Sequence, residues 1–443
     1  MQIKNSMEKN NKYMVGFDLG DRDAQISFCS MQKPEAETVP AVAGTQQYNI
    51  PTVLYKRRGT NQWLYGREAL RVSQSEEGTF VERLFSGAVE NKKTVIEGTE
   101  YDALTLLTLF VKKCFGLFSV IAPTDKIEIL MFTARKSDGR VVEVVRQVVE
   151  ALGLKNTKVF FQNHEESYYY YLLHQPSEFR LSGSVILDFQ EVLRAYLLEW
   201  NRRTTPVVSF VTEYEFPECR EPVWGEEEAE RAGQMEELDE EVLERVIGIF
   251  QNRMIGSVFL VGSGFQEDWA KRSLQYICRG RRVFKGNNLY SKGASYGALE
   301  KFCATKEGKE YVFLGREKLR TNIGLQILRE GKETYLPLMD AGMDWSEAQC
   351  ENEFYLESGN SFQVTLTPLT NVAPEKEAAG KYPVRLEKVE LPGFPVRPAG
   401  AARVRVSMSM SDARTLHVKT EDLGFGEIYQ SYGQFWEQDI PLQ

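Results

Sequence analysis

The chain has 443 residues, 42% hydrophobic and 26% charged, with a formal net charge of −9. That length exceeds what one hydrophobic core fills, about 250 to 300 residues, so more than one domain is expected. The acidic balance repels nucleic acid and anionic lipid at long range, which excludes both as expected partners.

Alternation in "MVGFDLG" and "AQISFCS" predicts a hairpin, with Asp18 near the end of its first strand. "NIPTVLYKRRGTNQWLYGREAL" adds a second strand pair around an "RRGTN" turn and then a helix start. "DKIEILMFTA" reads as a buried strand. "SDGRVVEVVRQVVEALGL" reads as a helix, its valines 141, 144, 145 and 148 at helical spacing and Gly153 as its stop. "KVFF" and "HEESYYYYLLHQ" give a further strand and helix. "SGSVILDFQEVLRAYLLEWN" then repeats the opening pattern and sets Asp188 opposite Asp18, as a duplicated α/β unit or two unrelated hairpins would.

Residues Glu213 to Arg245 are markedly acidic and read as a surface excursion running into a helix. "SVFLVGSGF" is a buried strand whose glycines permit a tight turn into the next helix and leave backbone N–H groups for an anion. From about Tyr311 seven short alternating segments, "TNIGLQILRE" to "TLHVKTED", predict an all-β sandwich or barrel. In "ARVRVSMSMS" the residues Val404, Val406, Met408 and Met410 share one face, a core face. The tyrosines 168–171 and Trp63, Trp224, Trp269 and Trp345 read as packing residues. Six widely spaced cysteines without a CxxC pair point to reduced thiols, and His164, His174 and His417 are too few to favour a histidine metal site or a Ser/His/Asp triad. The N-terminus lacks a signal-peptide core and no run spans a bilayer, so a cytoplasmic protein free of membrane is expected.

In order, these pieces resemble the seventy-kilodalton heat-shock chaperones, whose nucleotide domain belongs to the actin and sugar-kinase superfamily. "VGFDLGDRDAQISF" resembles the first phosphate loop and "SVILDFQEVLRAYLL" the second. "VFFQNHEESYYYYLL" resembles the connecting strand and helix, with Glu165 at the acidic position. "VFLVGSGF" and "VFKGNNLYSKGASYGAL" resemble the adenosine motif and terminal helix, "YVFLG" the interdomain linker, and "LPGFPVRPAGAARVRVSMSMSDARTLHVKTED" the last strands of the substrate-binding β-domain. The resemblance covers almost the whole chain. It implies an α/β plus all-β fold: a duplicated actin-like (ribonuclease H-like) nucleotide-binding-type domain over 1–306, a linker over 307–320, and a β-sandwich substrate-binding-type domain over 321–443.

The same resemblance implies that Asp18 and Asp188 order a hydrated magnesium, and that Gly20, Gly262 and Gly264 join them in holding ATP. Glu165 is a third catalytic candidate. Three departures stand against a working site. Asp21-Arg22-Asp23 replaces the hydroxyl-bearing residues of the first loop, and Gln190-Glu191-Val192 replaces the glycine run of the second. Glu82 stands where the catalytic lysine belongs, with Lys92, Lys93 and Lys136 as available substitutes; losing that cation costs on the order of a thousandfold in rate. The expected function is therefore that of a chaperone-like scaffold with a degenerate ATPase domain, its β-domain engaging a peptide or protein partner and no helical lid following "FWEQDIPLQ". The alternatives are an ATP-binding chaperone with weak magnesium-dependent hydrolysis and a filament-forming actin relative.

Overall fold

The structure, a computed structural model, describes residues 12–442 apart from 137, 155, 287, 316–317, 346, 358–359, 370–383, 399, 413 and 432. It is mixed α/β with a β-rich remainder, and it divides into two compact units, Met1–Tyr311 and Val312–Gln443. The stretch 307–320 carries the end of a short helix, Lys306–Glu310, and a three-residue strand, Tyr311–Phe313.

Two sheets organise the first unit. In one, Tyr13–Leu19 pairs antiparallel with Asp23–Ser30 and parallel with Ile127–Ala134, which runs parallel to Lys158–Asn163. In the other, Gly183–Gln190 pairs antiparallel with Val192–Asn201 and parallel with Ile255–Val261, which runs parallel to Arg282–Lys285. Each hairpin is extended by a further antiparallel strand, Glu37–Thr38 in the first sheet and Val207–Arg220 in the second. Order and sense are therefore the same in both sheets, and the strands carrying Asp18 and Asp188 hold corresponding central places. Both are apolar on both faces, as a strand covered on two sides must be.

The helices follow local rules. Gly139–Leu152 starts at Asp138, whose carboxylate accepts from the Arg140 and Val141 amides, and stops at Gly153 in the left-handed region. Leu289–Phe302 packs on the first sheet as well as on helix His164–Leu173. A Cβ on its Gly293 would fall on the Ser167 carbonyl, so the two helices meet at backbone distance. Its Ser295 hydroxyl donates to the Met14 carbonyl at 3.1 Å, and Glu300 holds His174 at 2.9 Å. This one helix reaches back 281 positions to Met14 and 126 to His174.

Two elements differ from expectation. Residues 213–220 are the end of the sheet strand Val207–Arg220 rather than an excursion, and the acidic helix is Glu228–Phe250. Glu213 and Glu215 belong to the strand's alternation, and Glu215 pairs with Arg194 at 2.7 Å. The tyrosines pack as expected: Tyr168 and Tyr169 are buried, and Tyr171 meets Phe259 edge to face.

The second unit has two four-stranded antiparallel sheets. One orders Lys332–Met339, Thr321–Arg329, Ser361–Pro368 and Arg385–Glu390; the other orders Gln349–Tyr355, Arg403–Asp412, Thr415–Asp422 and Phe435–Pro441. The last of these strands lies beyond those predicted. Val404, Val406, Met408 and Met410 point into the shared core with Leu416, Val418 and Ile440, so the methionines are core residues.

Candidate functional site

A cavity of about 1100 Å³ opens in the first unit, lined by the tips of both hairpins, the helix Leu84–Val89 and the residues Arg135, Lys136 and Asp138. Its floor is where the two central strands end. His164 Nε2 lies 2.8 Å from Asp18 Oδ1, and its ring stacks on Tyr290 with centroids 3.9 Å apart and planes 7° from parallel. Tyr290 in turn donates to Asp188 Oδ2 at 3.1 Å. The structure thus brings Asp18 and Asp188 together, each engaged by a partner from the helices that pack between the sheets. Burial pushes the Asp188 carboxyl above its ordinary range against the pull of His164, Tyr290 and Arg194.

The first hairpin tip is closed on itself. The Gly20 amide donates to the Asp23 carbonyl at 3.1 Å and so is spent within the turn. Asp21 accepts from the Ser86 amide at 2.8 Å, and Asp23, its pKa raised by burial, accepts from Asn49 at 3.2 Å. Arg22 reaches across the cavity mouth to Glu221. In the second hairpin a single residue, Glu191, separates the paired Gln190 and Val192, and it is Glu191 that takes the left-handed conformation, at φ 61°.

Gly262 leads into a single 3-10 turn, Ser263–Phe265, and neither it nor Gly264 opens the next α-helix. Lys271–Ile277 starts seven residues after Gly264, and its Arg272 and Ser273 amides donate to the buried carboxylate of Asp239 at 2.6 and 2.9 Å. Gly262 sits at φ 94° against the Phe189 backbone, and a Cβ on Gly264 would meet the Phe189 ring. Their role is close packing. Trp269 covers the same ring edge-on and donates to the Gly264 carbonyl at 2.7 Å.

Glu165 is buried in the first turn of helix His164–Leu173 and does not line the cavity. Glu82 does line it. Of the three substitute lysines, Lys92 pairs with Glu90 and Lys93 with Glu100, while Lys136 lines the cavity together with Arg83 and Arg135. Among the described residues these last three form no ion pair, and sequence reasoning singled out neither arginine.

Among the described residues no group of three or more His, Cys, Asp or Glu side chains is arranged to hold a metal ion. A magnesium nucleotide fits the site poorly as it stands. The two aspartates are hydrogen-bonded to protein, the Gly20 amide is spent, and Phe189 fills the space beside Gly262 and Gly264. No helix among the described residues is long and apolar enough to cross a membrane.

No curated protein matches the chain. A family model described as "Domain of unknown function (DUF8552)" matches residues 318–442, and one described as "Family of unknown function (DUF5716) C-terminal" matches residues 35–316. The junction of the two matches falls close to the division between the compact units, after Tyr311. With more than half of its length under the second of these models, the chain belongs to the family of unknown function DUF5716.

Proposed function

We propose that the first unit is a degenerate actin-like (ribonuclease H-like) ATPase domain that no longer hydrolyses nucleotide, and that the protein is a chaperone-like scaffold whose β-sandwich engages a peptide or protein partner. The repeated sheet order, with an aspartate at the end of each central strand, supports the ancestry. The observation that carries the loss of activity is the cleft floor: where a hydrated cation would need two free carboxylates, His164 engages Asp18 and Tyr290 engages Asp188. Glu82 adds an anion where transition-state charge calls for a cation.

The sandwich supplies a surface for a partner. Tyr355, Phe425 and Phe435 are each about half exposed, and the pairings Tyr355–Arg403 and Glu421–Phe435 set two of them at one end of their sheet. A second reading, an ATP-binding chaperone with weak magnesium-dependent hydrolysis, draws on Arg83, Arg135 and Lys136, which line the cavity and form no ion pair among the described residues.

Calorimetric titration of the full chain with magnesium-ATP separates the two. We expect no heat up to millimolar nucleotide. Micromolar binding that disappears in Asp188→Ala overturns the scaffold reading and makes Glu82→Lys the next test for hydrolysis.

A further inference from the structure

Glu221 links both hairpin tips, whose Arg22 and Glu191 line the cavity, to the turn after strand Ile255–Val261. Arg22 Nη1, from the first hairpin tip, donates to its Oε2 at 2.5 Å. The amide of Glu191, at the tip of the second hairpin, points to the same oxygen at 3.4 Å, and the Glu221 amide returns a 2.8 Å bond to the Glu191 carbonyl. Ser263, after strand Ile255–Val261, turns its hydroxyl toward the same carboxylate and helps to hold its charge. The acid is held below its ordinary range although burial works the other way.

The placement depends on a local irregularity. Strand Val207–Arg220 stays in register with Val192–Asn201 as far as Phe216, opposite Leu193, and then slips so that Arg220 faces Val192. Pro217, which has no amide to give the ladder, stands at the slip. A bulge of this kind re-aims the chain, and it delivers the Glu221 side chain to both hairpin tips.

A guanidinium, a left-handed-turn amide and a hydroxyl form a donor set for an anion, and a carboxylate from the same chain fills it. We propose that Arg22, the Glu191 amide and Ser263 build an anion seat for a phosphoryl group, which Glu221 occupies from within and thereby keeps closed. A phosphoryl group carries more charge than a carboxylate and offers one more acceptor oxygen, so it can engage the guanidinium, the amide and the hydroxyl with a separate oxygen each. The inference rests on the reading of the first unit as a degenerate ATPase domain and adds the residue that blocks it.

The test uses the full chain with Glu221→Ala and the near-isosteric Glu221→Gln, titrated calorimetrically with inorganic pyrophosphate and, separately, with magnesium-ATP. Pyrophosphate is expected to bind either variant at least about tenfold more tightly than it binds wild type, and Arg22→Ala added to the variant is expected to abolish the gain. A gain for pyrophosphate alone assigns the seat to free phosphate, and a gain for both ligands assigns it to a nucleotide's phosphates. The proposal is overturned if neither folded variant binds more tightly than wild type, or if the gain survives removal of Arg22. Should Glu221→Ala not fold, Glu221→Gln decides alone, because it keeps the side-chain volume. The two readings fail separately: Asp188-dependent ATP binding by wild type sinks the degenerate-ATPase reading, whereas an unchanged pyrophosphate response sinks this one.

Discussion

Two arginine–carboxylate pairs, one chosen from each unit, join distant chain segments and differ almost entirely in burial. Arg397 and Asp422 in the sandwich keep 2% and 0% of their side-chain surface in solvent and meet through two parallel bonds of 2.6 and 2.7 Å. Arg22 and Glu221 at the cavity mouth keep 47% and 24% and meet through one. The chemistry is the same. Solvent decides the rest: a buried pair cannot lose a partner without leaving a charge in a poor medium, while water compensates a wet pair that opens. The first is fit to hold structure and the second to be displaced.

Arg397→Ala tests the buried side of the comparison. Among the described residues it leaves the Asp422 carboxylate with the Gly424 amide as its remaining donor, at 2.9 Å, and should cost about 3 to 5 kcal/mol in the sandwich. Urea unfolding followed through Trp436, whose indole bonds the Pro392 carbonyl of the same unit, would read it. A loss under about 1 kcal/mol would mean that the pair is no more structural than the one at the cavity mouth.

Asp422 and Asp188 extend the contrast to pH, because burial works against the charge on both and only one has a guanidinium to overcome it. For Asp422, burial alone would raise the carboxyl, but Arg397 and the Gly424 amide leave it below its ordinary range. Its contribution to stability is therefore present above the unfolded pKa, about 3.9, and lost as pH falls through the lower folded value. For Asp188 burial prevails and the folded pKa is raised. Its ionisation costs stability as pH rises through that folded value, and the cost is absent below the unfolded one. Asp422→Asn should lower the melting temperature at pH 7, and Asp188→Asn, whose amide oxygen still accepts from Tyr290, should leave it unchanged or raise it. Both differences from wild type should shrink toward acid pH. Melting curves between pH 4 and 8 decide, and a clear loss at pH 7 in Asp188→Asn would show that its charge is needed in the folded state.

Much of the fold was legible in the sequence because period-two alternation and buried apolar runs are local signals. Seven of the sandwich strands, both hairpins and the helix Gly139–Leu152 with its Gly153 stop could be read this way. Phe435–Pro441 could not: only Ile440 is buried in it, so an edge strand with one core residue reads as a tail. Residues 213–220 were masked by their own charge, since Glu213 and Glu215 alternate outward on a strand yet read as part of an acidic run. Asp18, Asp188, Gly20 and Glu82 could be placed at or beside one cavity from their motifs. Their partners could not, because His164 lies 146 positions from Asp18, Tyr290 lies 102 from Asp188, and Glu221 lies 199 from Arg22. The slip that aims Glu221 leaves no mark in the sequence beyond a proline inside a strand.

Arg22→Ala is the smallest expected effect and the one on which the comparison turns. A pair this exposed contributes about 0.2 to 1 kcal/mol and weakens further with salt, so the melting temperature of the first unit should barely move and should move less still in molar salt. A double-mutant cycle with Glu221→Ala isolates the pair from each residue's other contacts. A coupling near zero to 1 kcal/mol leaves Glu221 as an occupant that a stronger anion can replace. A coupling above about 2 kcal/mol that is insensitive to salt would place the pair with Arg397 and Asp422. It would then be a structural clamp between the hairpins, and displacement of Glu221 by a phosphoryl group would cost more than the seat could return.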